Sequence, residues 1–91
     1  SGEMVGNSFA EQCHRVLLNL KIILEAGGSG LKHVLKVTIY MKNLAQFGEL
    51  NEIYSEYFGD SKPARVCVEV SNLPKGADVE MDAIAEISSV N

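Results

Sequence analysis

The apolar residues of this chain switch between a helical and a two-residue spacing, and each switch falls on a break rich in glycine, proline or polar residues. Phe9, Cys13, Val16, Leu17, Leu20, Ile23 and Leu24 recur three and four apart, which puts them on one helix face. Ser8-Phe9-Ala10-Glu11 ahead of them reads as a capping box, a hydroxyl at the N-cap and a carboxylate three positions on. Gly27-Gly28-Ser29-Gly30 ends that helix near Ala26. From Val34 to Met41 the spacing becomes two: Leu35, Val37, Ile39 and Met41 on one face, Lys36, Thr38 and Tyr40 on the other. Asn43 and Gln46 resemble a second helix start, and Phe47, Leu50, Ile53, Tyr54, Tyr57 and Phe58 supply its apolar stripe. Residues 59–63 break it. Two further alternating runs follow, joined through Asn72 to Gly76. Val66, Val68 and Val70 oppose Arg65, Cys67 and Glu69; Val79, Met81, Ala83, Ala85 and Ile87 oppose Glu80, Asp82, Ile84 and Glu86. With Glu3 to Val5 as the stub of another strand, the order (β)-α-β-α-β-β predicts an α+β fold with both helices on one face of a sheet.

Size and charge narrow the functions open to such a fold. Ninety-one residues make one domain with a modest core, which gains from oligomerisation. Twelve acidic against eight basic residues, net charge −4, argue against nucleic-acid binding, and Lys32, Lys36 and Lys42 read as a solvated face. Two cysteines without a CxxC or a Cys/His cluster give neither a disulfide scaffold nor a zinc site, and no metal or cofactor is expected. His14 and His33 read as isolated surface residues. No apolar run approaches the roughly 18 residues of a membrane span. The glycine cluster at 27–30 follows a helix and lacks a Lys-Ser/Thr pair, so it is a helix cap and not a phosphate loop.

The chemistry-bearing stretch is Pro63-Ala64-Arg65-Val66-Cys67-Val68-Glu69-Val70, followed by Leu73-Pro74-Lys75-Gly76 and Val79-Glu80-Met81. Arginine is always charged, and its planar fork matches a carboxylate. Arg65 and Glu80 on paired strands form either a small anion site or an exposed salt bridge, and spacing alone favours the salt bridge.

These same residues closely resemble the signature of the RidA (YjgF-type) family, the 2-iminobutanoate/2-iminopropanoate deaminases. The likeness extends to Glu11-Gln12, Leu18-Asn19-Leu20 and Leu24-Glu25-Ala26, to Val37 through Leu44, and to Phe47, Asn51, Tyr54 and Tyr57-Phe58. It implies a chorismate-mutase-like fold assembled as a homotrimer with sites in the clefts between subunits. It also implies that Arg65 binds the substrate carboxylate, that the main chain of Cys67 and the side chain of Asn51 line the pocket, and that Glu80 positions or polarises the attacking water. Family members carry further strands ahead of this stretch, with a pocket tyrosine and a Ser-Gly-Gln motif. The chain, 1–91, is therefore expected to be a single RidA-like domain incomplete at its N-terminus. The implied reaction is hydrolysis of 2-aminoacrylate, 2-aminocrotonate and their imines to 2-keto acids and ammonia, in the cytoplasm or mitochondrial matrix. Cys67 as a covalent nucleophile is the sharper mechanistic alternative, though no histidine base lies near it in sequence. A trimeric small-carboxylate binder or chaperone-like regulator is the non-catalytic one.

Overall fold

The computed structural model describes residues 8–59, 61 and 63–87; the strand stub expected at Glu3 to Val5 lies outside them. Helix α1 spans Phe9–Ala26 and is closed at its start by the expected box: Ser8 Oγ accepts from the Glu11 amide at 3.1 Å, and the Ser8 amide donates to Glu11 Oε1 at 2.9 Å. The same contact holds the Glu11 carboxyl below its ordinary pKa, chiefly through the Ser8 backbone hydrogen bond. Strand β1 is Val34–Met41. After it Asn43 accepts from the Ala45 amide and starts a single 3-10 turn, which runs into α2, Phe47–Phe58. Strands β2, Ala64–Glu69, and β3, Val79–Ala85, complete the fold.

The sheet order is β2-β1-β3, with β1 parallel to β2 and antiparallel to β3. This corrects the expectation that the strands of Arg65 and Glu80 pair with each other. The unit β1-α2-β2 closes as a parallel crossover, which uses one edge of β1. The connection after β2 then passes across the end of β1, where the Val70 amide donates to Met41 O and the Lys42 amide to Asp78 O. Strand β3 thus lands on the free edge of β1. Burial accounts for the central place of β1, since Val37, Ile39 and Met41 are completely buried.

Both helices pack on the face that carries Val37, Ile39 and Met41, where they meet Phe9, Cys13, Leu17, Leu50, Ile53, Tyr54 and Phe58 in one core. A bulge between Val34 and Lys36 shifts the phase of β1. Val34 therefore enters the core while Leu35, expected there, is 53% exposed. Ile23 and Ile87, also expected on buried faces, are exposed; Ile87 lies beyond the end of β3. His14 is exposed and meets Tyr57 Oη at 3.1 Å, whereas His33 is half-buried.

Gln12 is a buried polar residue that periodicity does not reveal. Its amide spans α1 and the entry to β3: Nε2 donates to Asp78 Oδ2 at 3.0 Å, and Oε1 accepts from the Asp78 amide at 2.8 Å. Gln12→Ala strips the Asp78 amide of this partner and should lower unfolding free energy by roughly 1–3 kcal/mol. A urea titration would register that as a lower midpoint with an unchanged slope.

Candidate functional site

Paired residues in a sheet share a face, so the register places each candidate side chain. Arg65 pairs with Val37 and Cys67 with Ile39, which turns both toward the helices. Glu80 pairs with Tyr40, three residues along β1 from Val37, and so projects from the opposite, helix-free face. Within one chain Arg65 and Glu80 are therefore separated by the sheet. They form neither the salt bridge nor the joint anion site considered from sequence.

Arg65 is held by α2 instead. Its Nη1 donates to Asn51 Oδ1 at 2.6 Å. Its guanidinium carbon lies 5.0 Å from the ring centre of Phe47 and 4.7 Å from that of Tyr54. Phe47, Asn51 and Tyr54 are spaced i, i+4 and i+7, one stripe of α2, so a single helix face supplies all three contacts. A cleft of about 370 Å³ opens between this stripe and the start of β2, with Asn51, Tyr54, Phe58, Pro63 and Arg65 in its walls. Among the described residues no carboxylate comes within ion-pair distance of Arg65, and Asn51 is its one hydrogen-bond partner. A guanidinium carries five donors, and among the described residues Asn51 takes a bond from only one of its nitrogens, Nη1. A half-buried arginine with the remaining donors unfilled is suited to a small anion, a carboxylate above all.

Two other groups border this arginine. Burial raises the pKa of the Cys67 thiol, while the nearby Arg65 charge pulls the other way. A thiol so displaced is a poor nucleophile at neutral pH, which weakens the covalent alternative. Tyr54 is buried and its hydroxyl has no hydrogen-bond partner among the described residues. Burial raises the pKa of that hydroxyl, again opposed by Arg65. Sequence reasoning assigned Phe47 and Tyr54 to the core alone. The signal that marks them otherwise is their spacing from Asn51, a polar residue on an aromatic stripe.

Glu80 borders a separate cleft of about 360 Å³ together with Arg15, Asn19 and Lys75. That cleft lies at the α1 side of the β3 entry; on the open face of the sheet Tyr40 donates to Asp82 Oδ2 at 2.9 Å. The turn into β3 holds Lys75 at φ 59°, a left-handed conformation that a side chain seldom adopts, just before Gly76 at φ 67°.

Two helices on a three-stranded mixed sheet, with an arginine of β2 held from α2 beside an open cleft, define a small α+β protein. Residues 1–87 match the family described as Endoribonuclease L-PSP, and the chain belongs to it, the family that also carries the names RidA, YjgF and RutC. The chain is 56% identical over 85 residues to a RutC family protein of Pyrococcus abyssi, covering 93% of this chain and 67% of that one. It is 41% identical over 85 residues to the 2-iminobutanoate/2-iminopropanoate deaminase of Rattus norvegicus, covering 93% and 62%. The crystal structure of RidA from an Antarctic Psychrobacter matches with a TM-score of 0.86 at 37% identity, over 89% of this chain and 66% of that one. The chain spans about two thirds of the length of these relatives.

Proposed function

We propose that this protein hydrolyses small 2-imino acids to 2-keto acids and ammonia, in an assembly whose sites are shared between copies. The observation that carries the reading is Arg65, half-buried in its cleft with no carboxylate partner among the described residues. The rat deaminase supports the choice of substrate class. A 2-imino acid offers the carboxylate that the open edge of the guanidinium fits. Its C=N carbon is then fixed relative to the pocket wall, which turns an encounter with water into a positioned one.

Glu80 supplies the base. It takes a proton from water as the oxygen bonds to the carbon of the protonated imine, giving a neutral tetrahedral amino alcohol. That proton then passes from Glu80 to the amino nitrogen; as the C–N bond breaks and the carbonyl forms, the hydroxyl proton returns to Glu80, and ammonia and the 2-keto acid leave. Because Arg65 and Glu80 lie on opposite faces of one sheet, the glutamate comes from a neighbouring copy. The open sheet face favours such a neighbour. Val66 and Val68 of β2 and Ile84 of β3 stand there at 44%, 39% and 60% exposure, apolar side chains flanking Lys36, Thr38 and Tyr40 that no element of the described chain covers. A homotrimer, the assembly implied by the resemblance to RidA proteins, would bury this face and bring each Glu80 to a neighbour's cleft. The ligand is a small acid and not a nucleic acid, in keeping with the net charge of −4.

A non-catalytic carboxylate binder is the second reading, favoured by the separation of Arg65 from Glu80 within one chain. Turnover decides between them. A threonine dehydratase releases 2-aminocrotonate, which hydrolyses slowly by itself. Added protein should raise the rate of 2-oxobutanoate appearance above the solvent rate in proportion to its concentration. Binding of 2-oxobutanoate without any such acceleration would select the binder.

A further inference from the structure

We infer that Phe47 and Tyr54 are positioning residues: their ring faces clamp the Arg65 guanidinium and aim its unfilled edge into the cleft. The inference rests on the proposed role of Arg65 as the carboxylate contact. It goes beyond that role by assigning a function to two side chains otherwise read as core.

Three observations carry it. The guanidinium lies over both rings, at 5.0 and 4.7 Å from their centres, within the reach of a cation–π contact. The one directional bond among the described residues is to Asn51, on the same stripe, so rotation about the guanidinium plane is restrained from one side and tilt from the rings. Tyr54 is itself anchored, 5% exposed and stacked on Phe58 with ring centres 4.5 Å apart.

The hydroxyl of Tyr54 takes no part in this. It is buried and makes no hydrogen bond among the described residues, so it does not hold Arg65 or Asn51 in place. What the residue contributes is its face. Aromatic walls also displace water from the arginine, and a carboxylate arriving there meets a charge that is weakly screened. A lysine would lack both the planar surface for stacking and the second donor of the fork.

The test is the binding of 2-oxobutanoate to the full chain, followed by calorimetry. Tyr54→Leu and Phe47→Leu, which keep apolar bulk and remove the ring face, should each weaken binding by about fivefold to tenfold. The conservative Tyr54→Phe keeps the face and should bind within about twofold of the parent. Acetamide-type analogues without a carboxylate should not distinguish the variants, a pattern that a general loss of packing does not produce. Phe47 is only half-buried, so Phe47→Leu decides the matter if Tyr54→Leu does not fold. Folded leucine variants that bind like the parent, while Arg65→Ala abolishes binding, would overturn the clamp and leave the carboxylate role intact. A Tyr54→Phe loss as large as that of Tyr54→Leu would also overturn it, because the hydroxyl would then be the active part. Undiminished binding by Arg65→Ala would overturn the underlying reading instead.

Discussion

Arg65→Ala should lose about a hundredfold or more in kcat/KM for 2-aminocrotonate and bind 2-oxobutanoate too weakly to measure. Hydrogen bonds to a charged group contribute roughly 1.5–3 kcal/mol each, and a bidentate contact makes two of them. The substitution leaves Asn51 Oδ1 at the pocket wall free to meet water, so the fold should tolerate the change better than the site does. Arg65→Lys retains the charge but loses the fork and the stacking surface, and should fall between the two. A dehydratase-coupled assay beside a calorimetric titration separates the effects. An Arg65→Ala protein with full activity and full affinity would remove the basis for calling this cleft a carboxylate site.

Glu80→Gln should act differently. Glutamine keeps the shape and the hydrogen-bonding reach of the side chain but cannot accept a proton from water. General-base catalysis typically contributes about 10²–10⁴ in rate, so kcat should fall within that range. Binding of 2-oxobutanoate should change little, because the carboxylate contact lies with Arg65. The split between kcat and affinity is the signature to measure. A parallel fall in affinity would place Glu80 in substrate binding. Since Glu80 stands on an exposed face, away from the core, its substitution should leave the midpoint of unfolding almost unmoved.

The features legible in the sequence are the local ones. The capping box at Ser8 and Glu11 and the glycine stop after Ala26 rest on contacts within a few residues, and both stand as read. The two helices and three strands follow from apolar spacing, which reports burial directly. Strand order was not legible in the same way. Arg65 and Glu80 belong to successive strands, and nothing in their spacing shows that β1 comes between them. The bulge that exchanges Leu35 for Val34 in the core is likewise a product of pairing with β3. The burial of Gln12 was not legible because its partner, Asp78, lies 66 positions away. Phe47 and Tyr54 were read as packing residues because an aromatic ring serves a core and a cation equally well. Their second role appears only when β2 carries Arg65 over them.

The separation of Arg65 from Glu80 by the sheet makes the shared site the central claim, and subunit complementation tests it directly. Arg65→Ala and Glu80→Gln chains, each inactive alone, are co-expressed in equal amounts and purified as mixed assemblies. In a ring where each site takes its arginine from one copy and its glutamate from the next, roughly a quarter of the sites regain both groups. The account predicts that the mixture recovers about that fraction of parental kcat, with kcat/KM per intact site unchanged. A mixture no more active than its two parents, although shown by native mass to contain both chains, would contradict it.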